Sequence, residues 1–296
     1  MRPLRTKTIV RSAAVAGVAA ALGVAGVLVV SASSTDDPTG PLRPGPIPRL
    51  VAVATPGPGA VANELEPAVI PSAAGLRSAW DYAQERGGAV SFAVVDSLGH
   101  LRSREGSRLY SAASVVKAML LAAELHRLAE AGSPVDEGTD SLLSSMIRFS
   151  DNGAADAIHA RVGEEGMFAV AERAGMRGFT EAGHWGNAQI AADDLALFFH
   201  DLDAAFPRRH AAYAKELLGS VIPAQSWGIP EAAADEWGVR FKGGWLPDKA
   251  LVHQAAELRE RGGTRQISIA VLTDAQPSFE YGVETVRGVA ERLLER

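Results

Sequence analysis

The sequence predicts an α+β fold: an antiparallel sheet with flanking terminal helices, and an all-α lobe inserted between its strands. Three observations predict it. Apolar, β-branched runs occur early, at Ala89 to Val95, and again late, from Gly238 onward. The stretch between them, about 114–225, repeats its apolar residues at helical spacing almost throughout. Amphipathic helices open and close the folded body, where they can cover a sheet whose first and last segments come together.

The chain begins with Arg2, Arg5, Lys7 and Arg11 ahead of an uncharged Ala/Val/Gly/Leu run from Ala13 to Val30. That run is just long enough to span a bilayer, and Val30-Ser31-Ala32 offers small residues where a signal peptidase reads them. Residues 1–32 are therefore expected to be a signal peptide or a membrane anchor, making the protein exported, secreted or anchored facing the cell exterior. From Ser31 to about Ala74 lie nine of the 16 prolines, so 33–74 is predicted as an extended linker. The folded domain is predicted over 75–296.

Within it, Leu76, Trp80 and Ala83 recur at helical spacing until Gly87-Gly88 stops the helix. The strand Ala89 to Val95 follows, then the turn Asp96-Ser97-Leu98-Gly99 and a more polar partner strand to about Leu109. A strongly apolar helix runs from Ser114 to about Gly132. Further helices are predicted at 139–149, 152–161, 163–174, 191–203 and 208–221. Strands return at Gly238 to Lys242, Ala250 to Glu257 and Gln266 to Thr273, and a helix from Phe279 to Leu294 ends the pattern.

Composition narrows the function. With 47% hydrophobic and 22% charged residues the chain can build a large core. The net charge is −6, and the part beyond residue 32 carries −10 because four cations and no anions precede it. Such an acidic body disfavours nucleic acid and anionic lipid surfaces. The absence of Cys excludes disulfides, thiolate metal sites and a thiol nucleophile. The seven His include no H-E-x-x-H, and no glycine-rich phosphate loop follows a strand, so neither a metal nor a cofactor is expected.

Three short motifs carry chemistry. In Ser114-Val115-Val116-Lys117 the serine and lysine share a helix face one turn apart, so the lysine can reach the hydroxyl. A buried lysine with a lowered pKa can act as its base. The same four residues also fit an ordinary helix start, and S-x-x-K arises by chance in roughly one such chain in three. Ser150-Asp151-Asn152 joins two helices, where a second hydroxyl can relay a proton and an amide can hold a substrate; helix capping is the plain alternative. With three Asn in the chain, chance supplies this tripeptide in about one chain per hundred. Lys242-Gly243-Gly244 puts a lysine and bare backbone on a strand, suited to an extended anionic substrate or simply to a glycine turn.

S-x-x-K, S-D-N and K-x-G in this order resemble the motifs of the penicillin-recognising serine hydrolases, especially class A β-lactamases, over roughly residues 76–296. The resemblance implies a β-lactamase/transpeptidase-like fold. It implies Ser114 as acylated nucleophile, Lys117 as proton acceptor, Ser150 as proton shuttle and Asn152 as contact to the substrate amide. Lys242 would supply positive potential near a substrate carboxylate, and the N–H groups of Ser114 and Trp245, next to Gly244, would form an oxyanion hole. Asp151 looks like a structural brace. His184 and His253 are expected as packing or loop residues, and Gln225 to Pro230 either lines the cleft or is a connection.

The sequence departs from that family in three places. The spacing between Ser114 and Ser150 is short, implying a reduced α lobe. Gly243 stands where Thr or Ser is usual, removing a hydroxyl that would bind a substrate carboxylate. The family's loop glutamate, followed four residues on by Asn, has Glu181 as its candidate deacylation base, but Trp185 occupies the Asn position; Glu164, Glu165 and Glu172 fall in a helical pattern facing solvent. Three functions remain open: a β-lactamase-like hydrolase acting on β-lactams, a D,D-peptidase or penicillin-binding protein acting on cell-wall peptides, and a non-catalytic envelope binding module. The expected partner is a β-lactam or cell-wall peptide, with no nucleic acid, and residues 13–30 are a candidate membrane anchor.

Overall fold

The structure, a computed structural model, describes residues 69–295. The expected export segment and most of the expected linker lie outside the described residues. Among the described residues no helix is long and apolar enough to cross a membrane.

Helix α1 (Ala73–Glu85) leads into β1 (Ala89–Val95), β2 (Leu101–Arg104) and β3 (Leu109–Ser111). A 3₁₀ turn (Ala113–Val116) opens directly into α2 (Lys117–Glu130), followed by α3 (Glu137–Arg148) and α4 (Asn152–Arg173). Next come β4 (Gln189–Ala191), α5 (Ala192–His200), α6 (Leu202–Ala205), α7 (Ala211–Leu218) and α8 (Ile229–Ala233). The chain closes with β5 (Trp237–Leu246), β6 (Leu251–Glu260), β7 (Gln266–Asp274) and α9 (Phe279–Leu294).

Five strands form one antiparallel sheet in the order β2-β1-β7-β6-β5. The early strand pairs with the last one, Ala89 opposite Asp274 and Val95 opposite Ser268. The first and last strand segments of the folded body therefore meet, as the sequence predicts. Helices α1 and α9 pack together, with α9 against β6 and β7, while α5 of the helical lobe lies against β1 and β7. Both faces of the central strands are thus covered, which is why β1 and β7 are apolar nearly throughout instead of alternating.

One prediction needs correction. The partner strand does not run unbroken to Leu109: it stops at Arg104, and β3 leaves to pair with β4 in a separate two-stranded sheet. The cause is a turn at Glu105 (φ 49) and Gly106, whose backbone is met by Asp193 at the start of α5; a β-carbon at Gly106 would lie 2.0 Å from Asp193 Oδ1. The predicted helices 152–161 and 163–174 are both present within α4, which breaks between them at Gly163 (φ 61, ψ −178).

Candidate active site

The three motifs converge where the free edge of β5 meets the 3₁₀ turn of the helical lobe. Ser114 sits in that turn behind Ala113, which holds a left-handed φ of 46°. The turn is anchored from the sheet: buried His253 on β6 bonds Ser111 O through Nε2 (3.0 Å) and accepts Thr273 N–H at Nδ1 (3.0 Å). Burial holds the His253 pKa down to about 4, so it serves as a neutral strut. That agrees with the packing role expected for it.

Ser150 links α3 to α4 in a left-handed conformation (φ 60), and Asp151 Oδ1 caps α4 by accepting Ala154 N–H at 2.7 Å. Asp151 is thus a brace, and Ser150 is turned onto two lysines. Lys117 Nζ donates to Ser150 O (2.6 Å), Asn152 Oδ1 (2.7 Å) and, at longer range, Ser150 Oγ (3.4 Å). Lys242 Nζ donates to Ser150 Oγ (3.1 Å) and Gly243 O (2.8 Å). The Lys117 ammonium, expected to reach the Ser114 hydroxyl, is drawn instead to Ser150 and Asn152, and no hydrogen bond joins it to Ser114 Oγ.

Both lysines are 0% exposed. Burial lowers the Lys117 pKa to about 8, against the opposing charges of Asp151 and Asp156. Burial first, and the neighbouring Lys117 charge second, lower Lys242 to about 7. A neutral amine next to a serine hydroxyl is accessible near neutral pH, which acid–base chemistry at this spot needs.

Gly244 is fixed by close approach. A β-carbon there would lie 2.8 Å from Ser114 N and 2.7 Å from Val115 N. The backbone of β5 therefore runs against the amides of the nucleophile turn, with Trp245 the next residue. Gly244→Ala is expected to push strand and turn apart, destabilising the protein by about 1–3 kcal/mol and slowing any reaction at Ser114. Melting temperature beside that of Gly243→Ala checks this, because a β-carbon at Gly243 comes no nearer than 3.4 Å to Trp227 ring carbons and 3.9 Å to Gln254 Nε2.

Glu181 is placed differently from its expected role. Its Oε1 lies 2.5 Å from His159 Nε2 on α4, its side chain is buried, and among the described residues Oε2 has no hydrogen-bond partner. The residue against the lysine is Trp185: its ring centroid is 5.0 Å from Lys117 Nζ, and Nε1 donates to Asp156 Oδ1 at 2.8 Å. His184, half-exposed, bonds the same Asp156 oxygen (3.1 Å). Glu164, Glu165 and Glu172 are exposed as expected. Among the described residues no cluster of His, Asp and Glu could hold a metal.

Sequence reasoning missed three groups here: His159, Trp185 as the cover of Lys117, and Trp227 as the neighbour of Gly243. Trp227 had a signal in the Gln225 to Pro230 segment before β5, and Trp185 in its place four residues after Glu181.

No protein-family model matches this sequence, and no curated protein matches it. Solved structures do. A β-lactamase from Sphaerobacter thermophilus aligns at 19% identity and TM-score 0.65, covering 74% of this chain and 95% of that one. A β-lactamase from Xanthomonas campestris gives 14% and 0.67, covering 74% and 96%. The class A β-lactamase from Mycobacterium abscessus gives 17% and 0.65, covering 74% and 98%. The chain therefore has a β-lactamase-like fold. Within that fold its neighbours include class A enzymes, as the three motifs implied.

Proposed function

We propose that the protein is an exported active-site serine hydrolase that forms an acyl-enzyme at Ser114 and opens the amide bond of β-lactams. One observation carries this: the Ser150 hydroxyl is bracketed by two buried lysines, one of them a helical turn from Ser114, at the strand edge that abuts the Ser114 amide. Neutral Lys117 takes the Ser114 Oγ proton as the oxygen attacks the carbonyl carbon. The N–H groups of Ser114 and Trp245 stabilise the oxyanion. As the C–N bond breaks, Ser150 gives its proton to the nitrogen and is reprotonated from Lys117, leaving an ester on Ser114. Asn152, whose Oδ1 is held by Lys117, keeps its exposed NH₂ for a substrate carbonyl.

A second reading, a D,D-peptidase or penicillin-binding protein acting on cell-wall peptides, is favoured by Trp185 over Lys117 and by Glu181 bonded to His159, since neither arrangement presents a base to a deacylating water. Export through residues 1–32 is part of both readings. Incubation with a penicillin, followed by intact mass and ring opening, tests them. A Ser114-dependent adduct with many turnovers is the expected β-lactamase result. A persistent adduct selects the second reading. No adduct, with Ser114→Ala binding the ligand as well as the unaltered protein, would leave a non-catalytic module.

A further inference from the structure

Beside Ser114 the β5 edge is aromatic where a carboxylate would need polar partners. Gly243 and Trp245 flank Gly244 and share the strand face opposite to it, each about 3.8 Å along the chain from its Cα. Onto that face folds Trp227, with its Cη2 and Cζ2 at 3.4 Å from the position of a Gly243 β-carbon. Trp227, Trp245 and Phe279 form a triangle of edge-to-face rings with centroids 5.8–6.3 Å apart. All three are only partly buried.

The arrangement is held in place. Buried Gln254 on β6 donates from Nε2 to Trp227 O (2.8 Å) and accepts Ile229 N–H at Oε1 (2.6 Å). Between those residues Gly228 takes φ 71, and a β-carbon there would strike Gln254 Oε1 at 2.6 Å. The turn that presents Trp227 is therefore clamped to the sheet.

The same edge offers an anion little. Position 243 has no hydroxyl. Lys117 places all three N–H bonds on Ser150 and Asn152, and Lys242 directs two at Ser150 and Gly243, with no surface exposed on either residue. A substrate carboxylate docked here would lose water and find both ammonium groups buried and the partly exposed Ser150 hydroxyl already held by them, whereas a neutral apolar group would meet the partly exposed rings of Trp227 and Trp245.

We propose that this edge selects neutral acyl donors carrying an aromatic or aliphatic group beside the scissile bond, over donors carrying a carboxylate there. The inference rests on Ser114 being the acylated nucleophile. In the step itself, Ser114 Oγ bonds to the carbonyl carbon, the ring C–N bond breaks, and the nitrogen takes up the proton lost by the serine.

Benzylpenicillin and its methyl ester differ at that one group. The second-order rate of adduct formation on the full chain, followed by intact mass, is expected to be at least ~10-fold higher for the methyl ester, as one lost buried polar interaction implies. The double variant Trp227→Ala, Gly243→Thr restores a hydroxyl and removes a ring, and is expected to shift the ratio toward the acid; unchanged circular dichroism certifies its fold. Equal or faster acylation by the acid in the unaltered protein overturns the inference while leaving Ser114 acylation standing. An unchanged ratio in the folded double variant also overturns it. Failure of both compounds to modify Ser114 overturns the acyl-enzyme proposal, and this one with it.

Discussion

Lys117→Met is expected to slow acylation of Ser114 by about 10²- to 10⁴-fold, the range that a positioned general base contributes. The side chain's length and apolar stem are kept, so α2 should remain packed. What is lost is the amine that bonds Ser150 O and Asn152 Oδ1. A purely structural lysine would show a comparable drop in stability, so the pH profile decides the matter. The base is the neutral amine, and burial holds the Lys117 pKa down to about 8. Below that pH the neutral fraction falls tenfold per unit, so the acylation rate of the unaltered protein should climb with pH and level off above about 8. In Lys117→Met the climb should vanish along with the rate. If a slow variant kept the same pH dependence, Lys117 would be a strut and the proton acceptor would lie elsewhere. Lys117→Arg should not rescue the rate, because a guanidinium stays protonated throughout this range.

How much of this was legible beforehand follows from how local each feature is. β1 spans the predicted Ala89–Val95, and α9 the predicted Phe279–Leu294, because each carries its own apolar pattern and turn residues. The placing of Ser114 and Lys117 one turn apart could be anticipated, since an i, i+3 relation is local, but the expected contact between them is not made. The break of the second strand was not legible, because it depends on Asp193 meeting Gly106 from a distant helix. The same holds inside the site. That Lys117 turns to Ser150 and Asn152, that Trp185 covers it, and that Glu181 pairs with His159 are outcomes of how a loop seats on α4. No motif encodes them. Gly243 was visible as an absence of hydroxyl, but the ring that fills its flank comes from a turn fixed by Gln254.

Trp185 is the residue whose replacement should most change the fate of the acyl-enzyme. In the unaltered protein the indole is 7% exposed, lies over Lys117 Nζ and is pinned by Asp156. It therefore covers one side of the Lys117 ammonium and keeps water from it there. Trp185→Asn opens that side and puts an amide four residues from Glu181, whose Oε2 has no hydrogen-bond partner among the described residues. Deacylation is expected to quicken at least ~10-fold, moving toward the range of base catalysis. Acylation should move the other way near neutral pH, because water reaching Lys117 raises its pKa back toward the ordinary value and reduces its neutral fraction. Trp185→Phe separates the ring from its anchor: it keeps an aromatic face over the ammonium and loses the bond to Asp156, so its adduct should last about as long as that of the unaltered protein. Pulse acylation followed by chase and intact mass measures all three lifetimes, and adding Glu181→Gln to Trp185→Asn should cancel the gain. Equal lifetimes for Trp185→Asn and the unaltered protein would mean that water entry past Trp185 does not limit deacylation. A gain that survives Glu181→Gln would assign the base to another group, leaving the His159–Glu181 pair a structural contact.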